Sequence, residues 1–481
     1  MKIIHISSEA NPYVKVGGLG DVVYSLGQKE AYLKEDVSII IPMYKNMKNL
    51  DIRDLKKIGY DKISLAWRDQ GFDIYVGEYS GITYYFIQND YYFTHRPNVY
   101  GYFDDGERFA FFTLAAKKLI ETLSLKPDII HIHDWEVGML PVVVREEHPI
   151  NSNFENTKFV LTIHNPAFQG RYGLAILGDL YNLPDDLYHS GKVRFAGDVS
   201  TLKAAIEYSD SITTVSPSHA LELQTPEGSW GLSDVLSFKS KVFKGILNGI
   251  DYDEFDPRKD KYIKFKYNNK NFFEKKLANK VAFFEEHGLS SIEKPFFVVV
   301  SRLTYQKGVD LITDAMRRLL ERGYPCFVLG SGEWNYEQRL NDLQRQFPDL
   351  MGVYIGYNDA LAHQLYASGD FFLMPSLFEP CGIGQMIAER YANLPIVRMT
   401  GGLNDSVENY NGINVNEANG YHFFDHSIEA FMGAVNWAIE NFEKRFKNVH
   451  LNLMQNAMKT NHSWAKSAKE YLSLYKKLLK R

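Results

Sequence analysis

Three short segments carry residue types whose spacing suits the handling of a phosphorylated ligand. In the first, Ser8-Glu9-Ala10 leads to Lys15-Val16-Gly17-Gly18-Leu19-Gly20-Asp21, between a strand-like run and a helix bearing Val22, Val23 and Leu26. Glycines there let the backbone approach a ligand closely, and amides at a helix start favour anions. Lys15 adds a cation. The spacing is neither G-x-G-x-x-G nor a Walker A loop, so a tight turn explains the glycines by themselves equally well. The second segment is Ser301-Arg302-Leu303-Thr304-Tyr305-Gln306-Lys307-Gly308, at a strand end before a helix. Arg302 can grip phosphate oxygens as a fork and Lys307 as a point charge; the alternative is two solvated loop cations. The third is Phe378-Glu379-Pro380-Cys381-Gly382-Ile383-Gly384-Gln385, placed in the same way. Glu379 can meet hydroxyl groups while helix amides meet phosphate, and its alternative is a helix cap. Cys381 reads as a small packed residue, because no base stands beside it in sequence.

Histidines form a further group. His131 and His133, two apart on a strand, share a face and with Asp134 offer ligands that in principle suit a metal. Further matched ligands are not evident, so hydrogen-bonded histidines in a core or cleft are the favoured reading and no metal site is assigned. His164, in Thr162-Ile163-His164-Asn165, ends a strand where a side chain can bond a substrate hydroxyl.

Elements able to position these residues follow from the apolar pattern. Strands are expected at Lys2–Ile6, 37–41, Ile129–His133, 159–164 and 211–215, and an antiparallel hairpin over 73–87 at a sheet edge. A second alternating series places strands at 296–300, 326–329, 353–357, Phe371–Met374 and 396–399. Alternation of strand and helix predicts parallel sheets covered by helices. The expected domains are 1–242, 243–461 and a terminal helix, 462–481, with Trp464, Ala468, Tyr471, Leu472, Tyr475, Leu478 and Leu479 at helical spacing and a basic end at Lys480-Arg481.

With 481 residues, 45% hydrophobic and 23% charged, the chain has material for two large cores. A net charge of -5 supplies no basic field for nucleic acid or an anionic membrane. Most of the 31 Tyr and 31 Phe are expected in cores, with a few stacking on sugar rings. The two cysteines suit a reducing compartment, and no apolar leader follows Met1-Lys2, so a cytoplasmic location is expected.

Taken in order, the motifs resemble those of bacterial glycogen synthases and plant starch synthases from Ile3 almost to the C-terminus. The resemblance rests on the Lys15 loop, Tyr100-Gly101-Tyr102-Phe103-Asp104-Asp105-Gly106-Glu107-Arg108-Phe109, the segment from Pro127 to Trp135, Thr213-Thr214-Val215-Ser216-Pro217, and Ile246-Leu247-Asn248-Gly249-Ile250-Asp251. The Ser301, Glu379 and Thr400-Gly401-Gly402-Leu403 segments complete it. It implies a GT-B architecture of α/β class, two Rossmann-like doubly wound domains facing across a deep cleft, with the last helix crossing back to the first. It further implies retaining transfer of glucose from ADP-glucose to the non-reducing end of an α-1,4-glucan, with no metal or other cofactor. By the same resemblance Lys15, Gly17 and Gly18 contact the donor diphosphate, as do Arg302 and Lys307. His164 binds the transferring glucose and Glu379 its hydroxyls. Asp21 and Asn248 lie near the donor, Tyr357 stacks on the base, and Cys381, Gly382, Thr400, Gly401 and Gly402 flank the donor site. Asp134 and Trp135 serve the acceptor. Ser200-Thr201 departs from the Asn-Phe usual in the family.

Overall fold

The structure, a computed structural model, describes residues 1–47, 55–443 and 447–480; Arg481, at the expected basic end, lies outside them. The chain forms two units, Met1–Ile246 with Trp464–Arg481, and Leu247–Ser463.

Unit 1 is built on nine strands: β1 (Lys2–Ile6), β2 (Asp36–Pro42), β3 (Lys56–Leu65), β4 (Arg68–Tyr79), β5 (Ile82–Gln88), β6 (Ile129–His133), β7 (Lys158–Ile163), and, after three short strands β8 (Arg171–Tyr172), β9 (Arg194–Phe195) and β10 (Asp198–Ser200), β11 (Ser211–Thr214) and β12 (Phe243–Gly245). The sheet order is β12-β11-β7-β6-β1-β2-β5-β4-β3, parallel from β12 to β5 and antiparallel beyond. Central strands such as β1 and β6 are buried on both faces, as their near-continuous apolar runs require. The order reverses at β1, so the loops leaving β1, β6 and β7 gather at the switch point where doubly wound sheets take ligands.

Two expectations need correction. The hairpin β4–β5 turns at Ser80-Gly81, both with positive φ, as a two-residue turn of this kind demands. It is not the sheet edge, because β3 pairs with β4 outside it. The first sheet also runs past the expected boundary at 242, since β12 pairs with β11.

Unit 2 carries β13 (Phe297–Val300), β14 (Cys326–Gly330), β15 (Met351–Ile355), β16 (Phe371–Met374), β17 (Leu394–Arg398) and β18 (Tyr421–Phe423), in the order β15-β14-β13-β16-β17-β18, all parallel. Strand β15 ends two residues earlier than expected, so Tyr357 lies in the following loop.

The Trp464–Leu479 helix belongs to unit 1. Its Trp464, Ala468, Tyr471, Leu472, Tyr475 and Leu478 pack with Ile3, Val22, Leu26, Ile129, Val160 and Ile246. Each such buried large side chain contributes about 1.5–3 kcal/mol.

Candidate active site

In unit 1 the loop after β1 closes around Glu9, a buried carboxylate. Its Oε2 accepts from the Val16 N–H and, at 3.1 Å, the Gly17 N–H, while the Tyr100 hydroxyl donates to Oε1 at 2.6 Å. The Gly17 amide is therefore already engaged by an internal anion. Lys15 Nζ lies 2.7 Å from Asp21 Oδ2, and Asn11 donates to the other Asp21 oxygen at 3.1 Å. Gly20 is required sterically: a Cβ there would stand 2.8 Å from the Val14 carbonyl. At Gly17 and Gly18 a Cβ would meet nothing within 4 Å, so that flank of the loop is open. The Gly18–Tyr32 helix begins here without a side-chain cap, which leaves first-turn amides for an anion.

The loops after β6 and β7 are joined by Asp134. This residue has a positive φ of 57° and is buried. Its Oδ1 accepts from the His164 N–H at 2.7 Å and the Asn165 N–H at 3.4 Å, so its carboxylate holds the His164 backbone in place. Burial pushes the Asp134 carboxyl up to about 7, with the backbone bonds pulling the other way and Glu9 adding to the rise. The His164 ring is half-buried, its Nε2 3.0 Å from His133 Nδ1, and burial pushes its pKa down to about 3. Trp135 packs edge-on against Phe109 and lines an open cavity of about 390 Å³ with Phe168, Gly170, Arg171, Tyr172 and Trp230. Ser200 and Thr201 buttress its wall, donating to the carbonyls of Gln169 and Trp135 at 2.9 and 2.7 Å.

In unit 2 the loops after β13 and β16 are knit together. Leu377 N–H donates to the Gln306 carbonyl at 2.8 Å, and Gly308, at φ +69°, comes so close that a Cβ would lie 2.2 Å from the Pro375 carbonyl. This brings Lys307 and Glu379 into a mostly buried ion pair, with the Ser376 hydroxyl donating to the same Glu379 oxygen at 3.2 Å. Arg302 stands exposed with no ion-pair partner among the described residues. Asn248 is buried, and its Oδ1 has no hydrogen-bond partner among the described residues. The Cys381 thiol is pushed up to about 12 by burial, which makes it a packed residue. Gly401 and Gly402 serve the turn that presents Glu379: Cβ atoms there would fall 2.1 Å from the Glu379 carbonyl and 2.0 Å from the Cys381 carbonyl, and the Gly402 N–H bonds to Glu379 O at 3.0 Å. Tyr357 is 83% exposed, and its hydroxyl donates to Asp359 Oδ1.

His5, His131 and His133 are the one cluster of possible metal ligands among the described residues, their nitrogens within 4.8 Å of one another. Every ring nitrogen in it already has a hydrogen-bond partner. A metal bound there would break these hydrogen bonds. Glu30 and His5 carry no motif; their signal is a polar residue on an otherwise apolar face, as with Glu30 four residues after Leu26 on a helix, whereas Glu9 stands inside the Ser8-Glu9-Ala10 segment with nothing in the sequence to mark its bonds to the loop amides.

Two doubly wound units bearing cationic, glycine-lined strand ends are the plan of a GT-B glycosyltransferase. The starch synthase catalytic domain description matches residues 2–238 and that of glycosyl transferases group 1 matches 283–450. Glycogen synthases of Clostridium kluyveri and Anoxybacillus flavithermus are 42% and 41% identical, over 100% of this chain and 100% and 98% of theirs. The catalytic domain of starch synthase IV from Arabidopsis thaliana, bound to ADP and acarbose, is 35% identical with a TM-score of 0.89, covering 100% of this chain and 99% of that one. A sucrose-phosphate synthase from Thermosynechococcus elongatus, 16% identical over 100% of both chains with a TM-score of 0.62, shares the fold. The chain belongs to the family of bacterial glycogen synthases and plant starch synthases, and is a glucosyltransferase.

Proposed function

We propose that this glucosyltransferase moves glucose from ADP-glucose to the non-reducing end of an α-1,4-glucan, with retention at the anomeric carbon and without a divalent metal, in the cytoplasm. The observation that carries the reading is the Lys307–Glu379 pair beside the open Arg302: two cations for a diphosphate and one carboxylate for a sugar, set on adjoining strand ends of one sheet. ADP in the related starch synthase supports adenine as the base, and the named activity of the bacterial relatives supports the glucan acceptor. Charge on the departing ADP is stabilised by Arg302 and Lys307, with Lys15 and the uncapped helix start at Gly18 as the corresponding groups of unit 1. Asp21, Gly17 and Asn248 border the donor, Tyr357 stacks on adenine, and the Cys381-Gly382 and Thr400-Gly401-Gly402 turns hold Glu379 toward the glucosyl hydroxyls. His164 bonds the transferring glucose. Trp135 and its aromatic cavity stack on the acceptor, while Asp134 acts on that side only through the loop it anchors. No helix among the described residues is long and apolar enough to cross a membrane.

The test is glucose transfer to glycogen from ADP-glucose and, separately, UDP-glucose, with EDTA present. Faster transfer from ADP-glucose is expected. Preference for UDP-glucose overturns the donor, and loss of transfer on chelation overturns the metal-free mechanism.

A further inference from the structure

Behind His164 lies a buried file of polar side chains that the reaction above does not use. Glu30 Oε2 is 2.7 Å from His5 Nε2; His5 Nδ1 is 3.1 Å from His133 Nε2; His133 Nδ1 is 3.0 Å from His164 Nε2. Glu30, His5 and His133 have no exposed surface. At one end of the file His164 Nδ1 bonds to no described residue, and at the other Glu30 Oε1 has no hydrogen-bond partner among them.

The direction of the hydrogens along this file follows from charge. A carboxylate at zero exposure is costly unless neutralised, and among the described residues Glu30 has no Lys or Arg partner. Neutrality is reached if His5 is an imidazolium or if Glu30 itself carries the proton and donates to His5 Nε2. An ionised Glu30 accepting from the Nε2–H of a neutral His5 would leave Nδ1 bare and reverse the file, whereas both of these neutral states put a hydrogen on His5 Nδ1. His133 Nε2 must then accept. Burial, with the neighbouring rings, holds His133 well below the usual histidine range, so its ring is neutral and its single hydrogen sits on Nδ1. The same step repeated at His164 makes Nε2 an acceptor and leaves the hydrogen on Nδ1. The Asp134 carboxylate fixes the backbone of the same residue, so both the place and the tautomer of the ring are set from behind.

We propose that Glu30, His5 and His133 are positioning residues that hold His164 in its Nδ1–H tautomer, so that it meets the glucosyl group as a hydrogen-bond donor. The proposal rests on the reading that His164 faces the sugar.

Ring nitrogen resonances of the full chain labelled with 15N-histidine test it directly, His164 being assigned by its loss in His164→Ala. The expected result is a protonated Nδ1 and a bare Nε2 on both His133 and His164; a proton on His164 Nε2, or an exchanging mixture, overturns the relay without any variant having to fold. Glu30→Gln retains an N–H for His5 and is expected to keep turnover near that of the unaltered protein. Glu30→Leu removes it and is expected to mix the His164 tautomers and lower kcat about 10–100-fold, as losing a group that fixes a metal-bound histidine's tautomer does, with acceptor KM unchanged. A folded Glu30→Leu with full kcat overturns the relay while leaving the sugar contact standing. A His164→Ala variant with full kcat overturns the sugar contact itself, and with it the relay's role.

Discussion

Unit 1 and unit 2 differ in the company their buried ionisable groups keep around the strand ends. In unit 1 like groups lie together: His131 and His133 stack with ring centroids 4.3 Å apart, and Asp134 and Glu136 are both pushed up, burial being the largest cause, while His5 alone of these histidines meets a carboxylate, Glu30 at 2.7 Å. Unit 2 pairs opposites: Lys280 with Asp370 at 2.7 Å, His363 with Asp260 at 2.7 Å, His462 with Glu389 at 2.6 Å, and Lys307 with Glu379. Stacked like groups must stay neutral and act through the direction of their hydrogens. Paired opposites act on each other through field, and at Glu389 burial raises the carboxyl to about 7 while His462 pulls it down. On the proposed reading, unit 2 carries most of the charge, with Arg302 and Lys307 for the diphosphate and Glu379 for the sugar, and unit 1 adds the neutral His164 ring and a single cation, Lys15.

Breaking the charged half has the largest effect. Glu379→Gln is expected to lower kcat by ~100-fold or more while circular dichroism and ADP affinity hold, since its role is at the sugar. Steady-state kinetics check this, and near-normal turnover removes Glu379 from the site. Lys307→Ala is expected to lower kcat/KM for the donor about 10–100-fold. Because the two residues touch, a double variant should cost less than the sum of the single ones, measurable as a coupling energy in a double-mutant cycle.

A smaller effect sharpens the neutral half. Trp135→Ala should raise acceptor KM about tenfold, roughly 1.4 kcal/mol, and leave donor KM unchanged. A shift in donor KM would detach the aromatic cavity from the acceptor.

The smallest effect is on stability. His131, His133 and His164 have folded pKa values below the usual ~6.5 of an unfolded chain, so between those values the unfolded chain binds more protons. Their fold is thus fully stable above pH ~6.5 and loses stability as pH falls toward their folded values. Unit 2 has the same liability at His422 and His450, each pushed down to about 4 by burial. Hydrogen exchange at pH 7 and pH 5 should show protection falling in both units, more steeply in β1, β6 and β7 of unit 1.

Much of this was legible in the sequence where periodicity speaks for position. The parallel strands of both sheets read as apolar runs, and the Trp464–Leu479 helix as a stripe in need of a surface. Strand β3 escaped because its burial pattern is mostly exposed, with lysines and a glycine where an inner strand has Val or Ile. Glu9 escaped because a carboxylate bonding backbone amides eight residues on leaves no pattern in the chain. The candidate charges were visible singly, but not that Lys15 and Lys307 are each held by a carboxylate, since Lys307 and Glu379 meet only when the loops after β13 and β16 adjoin.

The Trp464–Leu479 helix has a consequence for how the molecule is made. Ile3, Ile129 and Val160 are synthesised early, yet the side chains that cover them emerge from the ribosome only after all of Leu247–Ser463. Tyr475, bonded to His131 at 2.7 Å, reaches β6 only after the whole of unit 2 has been made. Unit 1 therefore waits with an uncovered apolar face throughout the translation of unit 2, and a ribosome stalled or a message truncated anywhere in that interval releases a sticky, half-sealed product for chaperones and proteases to find.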